Sequence, residues 1–342
     1  MLETTWFVLW GLLWAVYFVL DGFDFGMGTL LPFLAKNDEE KRIIYNAAGP
    51  YWDGNEVWLI TAGGVTFAAF PKAYAVMFSA LYAPLLILLF ALIFRAVSFE
   101  FRNKKDCPQW RKFWDACQFL GNFLPALLLG VAFANLFMGI PIDGNGVYHG
   151  NIIKLLNPYG LAGGIFFVLI FCMHGALWLA LKSEGDIHER AVGAAQVVWP
   201  LVLAVALLFL ALTAFYTNLY ANYAEHPTLL VFPILAVASL LTVRVMIWAD
   251  NLLGAWFFSA LFIITVTFFG VLGMYPGIII SSIDPAYSVT VFKGASSQLT
   301  LKIMLGVTLC CIPVVIAYQA WVYYTFAHKV TPESLQKDDH AY

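Results

Sequence analysis

Apolar residues in this chain form long unbroken blocks and do not alternate with polar ones. Nine blocks approach or exceed the roughly 20 residues needed to cross a hydrocarbon layer. They fall at 6–31, 53–70, 74–98, 114–138, 159–181, 190–217, 228–249, 254–280 and 298–326. Runs of this length without a period of two predict helices, because lipid tolerates strands only as closed barrels with alternating faces. The expected architecture is all-α: a polytopic membrane helix bundle of about nine transmembrane helices, forming one integral-membrane domain over residues 1–342. The second block is the shortest and begins in polar sequence. Connections are short throughout. The longest, 139–158, is rich in Gly, Asn and Pro and reads as a surface loop.

Composition agrees with the pattern. Of 342 residues, 62% are hydrophobic and only 11% charged, against about 25% charged in an ordinary soluble domain. This excludes a disordered chain, a nucleic-acid binder and a typical soluble enzyme. The first apolar block has no basic segment before it and no small-residue cleavage site after it, so Trp6 onward reads as a retained helix. Five cysteines (107, 117, 172, 310, 311) show no metal or disulfide spacing and read as free thiols.

Charge placement says more than net charge. Lys36, Lys41, Arg42, Arg102, Lys104, Lys105, Arg111, Lys112, Lys182, Arg190, Arg244, Lys329 and Lys337 all fall on one side of the nine blocks. Only Lys72, Lys154, Lys293 and Lys302 fall on the other, and Arg95 lies within a block. By the positive-inside rule the N-terminus is outside and the C-terminus inside.

Charges within spans are costly and mark candidate sites. Asp21 and Asp24 stand three apart in LDGFDFGMG and share a helix face. Asp21 lies roughly 22 Å along a helix that begins at Trp6, in the inner third of the membrane. Asp53 and Glu56 are again three apart, at the inner start of the second span, and Arg95 reaches the same level from the third. Four carboxylates and one arginine from three consecutive helices thus gather near the inner face. One reading is a proton path; the other is a structural cluster in which Arg95 and Asn55 satisfy the acids and Asp53 caps its helix. Three GxxxG pairs, Gly22 with Gly26, Gly160 with Gly164 and Gly273 with Gly277, read as close helix packing.

Among six histidines only His174 lies inside a span. His149 and His226 fall in outer loops, and His188, His328 and His340 at the inner surface or tail. No pair sits at matched depth on facing helices, so the chain alone does not resemble a bis-histidine cytochrome, and His174 reads as a hydrogen-bonded packing residue. Trp and Tyr near the span ends read as aromatic belts.

Several segments carry a resemblance. DGFDFGMG (21–28), GPYWDGNEVWLITAGG (49–64), FAAFP (67–71), LIFRAVSFEFR (92–102), GVAFANLFMGIP (130–141), LLNPYGLAGG (155–164) and SSQLTLK (296–302) resemble subunit II of cytochrome bd-type quinol oxidases over nearly the whole chain. The resemblance implies a subunit of a terminal oxidase that is catalytically incomplete alone. Its partner, subunit I, carries haems b, haem d and the quinol-oxidising loop; none of the haems is ligated by this chain. The complex oxidises quinol, reduces O2 to water and takes protons from the cytoplasm, which generates a membrane potential. Carried over by position, Asp53 ranks first as a proton-path residue, followed by Asp21 and Asp24. Glu56 sits where the family pattern can hold an amide. Arg95 is expected to be electrostatic or structural, and Trp58 to lie at the subunit interface. The resemblance also implies a prokaryotic cytoplasmic (inner) membrane, surrounding lipid, a small accessory subunit in some complexes, and in some relatives a structural quinone within subunit II. The competing classes are a secondary transporter or ion channel with intramembrane acidic sites, and a purely structural partner.

Overall fold

The computed structural model describes residues 1–337 and 342; the tail histidine His340 lies outside them. The helices run in chain order as α1 (Leu2–Leu34), α2 (Asp38–Ala48), α3 (Trp52–Ala69), α4 (Pro71–Ala80), α5 (Tyr82–Phe101), α6 (Pro108–Met138), α7 (Ile152–Leu155) and α8 (Pro158–Lys182). They continue as α9 (Gly185–Tyr216), α10 (Leu219–Glu225), α11 (Val231–Trp248), α12 (Leu252–Met274), α13 (Val291–Gly294), α14 (Gln298–Thr325) and α15 (Pro332–Lys337). Two short strands, β1 (Gly277–Ile279) and β2 (Val289–Thr290), pair antiparallel before α13.

Eight of these helices are long and apolar enough to cross a membrane. The ninth expected span is α3, an 18-residue helix packed against α1. Its polar first turns and the Gly63–Gly64 pair lower its hydropathy below the other eight.

Three boundaries differ from the sequence pattern. The block at 74–98 is two helices broken at Leu81, because Pro84 has no N–H for the Ala80 carbonyl and suits the first turn of a new helix. The block at 254–280 ends as helix at Met274, where Pro276 and Gly277 stop it; Gly277 belongs to β1, so Gly273 and Gly277 are not a helix-packing pair. Residues 38–48, expected as part of a connection, form α2. Asn37 caps it by accepting from Glu40 N, and acids fill its first turn, favourable at a helix N-terminus.

The first helix is central and packs against α3, α6, α8 and α12. Its closest crossing is with α8. A Cβ on Gly26 would collide with the Phe171 backbone carbonyl, and one on Gly175 would come within 2.5 Å of the Met27 backbone nitrogen. Gly164 meets Leu127 and Val131 of α6. Glycine at these sites lets the backbones touch.

The chain alternates between two ends of the bundle. One, here the basic end, holds α2, the α5–α6 and α8–α9 connections and the segment after α14. There Arg102 bonds Asp115 (2.6 Å) and Asp38 (2.6 Å), Lys41 bonds Asp115 (2.8 Å), and Arg190 bonds Glu40 (2.6 Å). The Lys182 carbonyl accepts from Val330 N, which holds the segment after α14 in place. The opposite end holds the 139–157 loop, β1 and β2. Ile140 N bonds Ile280 O there, and Asn222 bonds the Tyr275 carbonyl.

Candidate functional site

Near the basic end α1, α3, α5 and α14 enclose a set of polar side chains. Arg95, fully buried on α5, donates through Nη1 to Asp21 Oδ1 (2.7 Å) and through Nη2 to Asp21 Oδ2 (3.1 Å). The same Nη2 reaches Glu56 Oε1 at 2.5 Å. Its guanidinium carbon also stands 4.8 Å from the centre of the Phe25 ring. One cation thus faces two acids from two helices. A fork bonding one carboxylate through both arms is the strong arrangement for such a pair.

Asp24 is placed differently. It is buried one turn further along α1, and its contact is with a neutral amide: Asn55 Nδ2 donates to Asp24 Oδ2 at 2.8 Å and to the Leu20 carbonyl at 2.9 Å. Its other oxygen, Oδ1, is buried without a partner. Asn55 Oδ1 in turn accepts from the Tyr323 hydroxyl of α14 at 3.2 Å. Asp24 is thus buried with an amide partner and no cation, unlike Asp21.

Asp53 does not join these groups. It occupies the second position of α3, after Tyr51 at the N-cap, so it lies in the first turn but is not the cap itself. It is exposed on the face that α3 turns away from its own bundle, and among the described residues it makes no side-chain hydrogen bond or ion pair. Ile60 and Phe67 continue that face at 72% and 61% exposure. Trp58 is buried and donates to Gln319 Oε1 of α14 at 3.0 Å, while Gln319 Nε2 donates to the Gly54 carbonyl at 3.1 Å. Trp58 therefore joins α3 to α14 within this chain.

Of the residues singled out from sequence, the structure brings together Asp21, Glu56 and Arg95 in one ion-pair group and Asp24 with Asn55 in another. Tyr323 and Gln319 were missed. Tyr323 sits among aromatics that read as an interfacial belt, and Gln319 within an apolar block; neither carries a spacing signal towards residues more than 260 positions away.

His174 is fully buried with both ring nitrogens engaged. Nδ1 lies 2.6 Å from Ser259 Oγ and Nε2 lies 3.1 Å from the Val19 carbonyl. The carbonyl can only accept, so Nε2 carries the proton, while the Ser259 hydroxyl beside Nδ1 also lies 2.7 Å from the Trp256 carbonyl. Among the described residues no cluster of three or more His, Cys, Asp or Glu side chains is arranged to hold a metal ion.

Two of the cavities among the described residues have mainly apolar and aromatic walls. A groove of 600 Å³ runs between α3, α4 and α5 and is lined by Trp10, Trp14, Phe67, Tyr74 and Phe78 among others. Trp14 Nε1 is buried without a hydrogen-bond partner. A more enclosed apolar cavity of 110 Å³ lies among α6, α8, α9, α11 and α12.

The family model described as cytochrome bd terminal oxidase subunit II matches residues 2–326. The chain is 37% identical over 336 residues to cytochrome bd ubiquinol oxidase subunit 2 of Bacillus subtilis, covering 96% of this chain and 97% of that one. It is 35% identical to cytochrome bd-I ubiquinol oxidase subunit 2 of Escherichia coli K12, covering 99% and 98%. In fold it matches a chain of the bd oxidase from Geobacillus thermodenitrificans, with a TM-score of 0.80 at 16% identity over 95% of this chain and 98% of that one.

Proposed function

Since the chain belongs to the cytochrome bd terminal oxidase subunit II family, we propose that it pairs with a haem-bearing subunit I and serves proton delivery in a quinol:dioxygen oxidoreductase of the prokaryotic cytoplasmic membrane. Electrons from quinol reduce O2 to water in the partner, and the protons consumed come from the basic end, which faces the cytoplasm. The observation that carries this is the set of Asp21, Asp24, Glu56 and Arg95, drawn from three helices and displaced towards one end of the bundle. A transporter or channel would place its coupling charges near the bilayer midplane, between broken helices. Asp21 and Asp24 lie past the middle of α1 towards the basic end, and Glu56 borders the face that α3 turns outward.

Within the set the residues divide the work. Arg95 fixes Asp21 and Glu56 in place through its two arms. Asp24 holds the transferable proton, and Asn55 and Tyr323 orient its carboxyl. Asp53 collects protons on the outward face of α3. Its transfer to the interior set runs over water or over groups of the partner, since no hydrogen bond among the described residues links them.

The haems b and haem d implied by the family do not fit this chain. Of the histidines within the spanning helices, His174 has both nitrogens engaged and His188, in the first turn of α9, has Nδ1 on the Ala180 carbonyl, so we assign all haem ligation to subunit I. A structural quinone fits the 600 Å³ groove better than the enclosed cavity. The groove offers aromatic walls and the unpaired Trp14 N–H, whereas the cavity's polar lining is Thr267, whose hydroxyl is given to the Ile263 carbonyl. There the quinone ring would contribute packing, with no redox step assigned to it.

The test is to purify the chain from its native membrane and record a reduced-minus-oxidised spectrum. Haem b and haem d bands from a co-purifying partner are expected. A preparation free of haem would refute the assignment.

A further inference from the structure

Arg244 stands in the last turn and a half of α11, roughly 6 Å from the helix end, with no carboxylate in ion-pair contact among the described residues. An unpaired arginine on a membrane helix is costly and calls for a reason.

Part of the reason lies on α9. Pro200 has no N–H to give to the Gln196 carbonyl one turn earlier. Arg244 Nη1 donates to that carbonyl at 3.2 Å. The guanidinium carbon is 5.6 Å from the centre of the Trp199 ring and 4.9 Å from that of Trp248, which is 70% exposed. This uses one arm of the fork. The remaining donors have no protein acceptor among the described residues and sit in an aromatic setting suited to the headgroup level of a bilayer.

The other part lies one turn further into the bundle. Trp199 Nε1 donates to the Leu240 carbonyl at 2.7 Å. Leu240 with Leu203 lines the apolar cavity of 110 Å³. The cavity's rim carries Leu207, Val237 and Leu241, which are 60%, 54% and 49% exposed, so it opens between α9 and α11 towards the lipid. An apolar cavity of this size stays dry and takes hydrocarbon. A free cation at headgroup level therefore stands below a hydrocarbon-sized slot, with Trp199 stacked by Arg244 and bonded to the backbone of Leu240, which lines the slot.

We propose that α9 and α11 form a binding site for one anionic phospholipid, its phosphate on Arg244 and part of one acyl chain in the cavity. A lone phosphate would need only the cation and would leave the slot unexplained. Positively charged groups on the cytoplasmic side of membrane helices are suited to such headgroups.

The experiment uses the two-subunit complex, delipidated in detergent and titrated with phosphatidylglycerol while bound lipid is counted by native mass spectrometry. Parallel arms use phosphatidylcholine with the same chains and inorganic phosphate. One phosphatidylglycerol is expected to bind tightly and to be weakened roughly fivefold by Arg244→Gln, the loss expected for one basic residue near a membrane surface. Arg244→Lys should retain most of the binding, and Val237→Trp, which blocks the slot at an exposed position, should weaken it with the charge intact. The haem spectrum should stay unchanged in all three. Equal phosphatidylglycerol binding by wild type and Arg244→Gln overturns the proposal, as does competition by inorganic phosphate that equals the lipid's own affinity. Should Arg244→Gln fail to assemble, unaltered binding in Val237→Trp overturns it alone.

Discussion

Arg95 is the residue on which the buried acids depend. It neutralises Asp21 through two bonds and Glu56 through a third, in a place where none of the three meets bulk water freely. Removing one partner of a buried pair leaves an uncompensated charge and costs about 3–5 kcal/mol. Arg95→Leu should therefore sharply lower the yield and melting temperature of the assembled complex. Asp24→Asn should not, because an amide can keep the hydrogen bond to Asn55 while losing the transferable proton. Melting temperature and haem content near wild type, with slowed quinol-driven oxygen consumption, are expected for that variant. The i, i+3 spacing made Asp21 and Asp24 legible as one face. It did not reveal that Arg95 takes one and leaves the other to Asn55. Nor did it reveal that Asp53 points away, since the outward face of α3 is defined only by how α3 packs on α1 and α14.

At the scale of elements, the long apolar blocks made most of the helices readable because their length alone leaves no other structure in lipid. What they hid were features that do not span. The second helix is eleven residues long and lies among charges at the basic end, so no apolar block announces it, although Asn37 and Glu40 form a recognisable capping pair. Its acids make a pH test. Burial alone would raise the Asp38 and Glu40 carboxyls. The hydrogen bond and charge of Arg102 outweigh this for Asp38, and the Lys36 N–H with Arg190 does so for Glu40, so both lie below their ordinary values of 3.8 and 4.5. Depressed carboxyls stabilise the fold above the unfolded values, and that contribution is lost as pH falls through the folded ones. Melting temperature should drop between roughly pH 5 and pH 3, and the slope should be shallower in Asp38→Asn, checked by thermal scans across that range. The α1–α8 crossing gives a second test. Gly26→Leu has no room against the Phe171 backbone and should abolish assembly, whereas Gly193→Ala on α9, where a Cβ meets nothing within 4 Å, should leave it intact.

The whole molecule is asymmetric in how it buries its helices. Most of α1, α6, α8 and α12 is inside, while α14 buries only 6% of its most apolar stretch and the outward face of α3 is open. Lipid alone would be an odd covering for a face that carries Asp53 and Gly54, and the proposed pairing with subunit I is expected on this side. A cysteine placed at Ile60 should be protected from a membrane-permeant thiol reagent in the complex, whereas one at Val197 on α9, 65% exposed, should stay reactive; mass spectrometry of the labelled chain reads both. The central claim is that protons reach the oxygen chemistry from the basic end, beginning at Asp53. Because Asp53 makes no side-chain hydrogen bond or ion pair among the described residues, Asp53→Asn isolates that role. The decisive measurement is quinol-driven oxygen consumption by the Asp53→Asn complex, with haem content read from its reduced-minus-oxidised spectrum. Full haem content and turnover lowered by roughly tenfold or more are expected. Full haem content with wild-type turnover would contradict it.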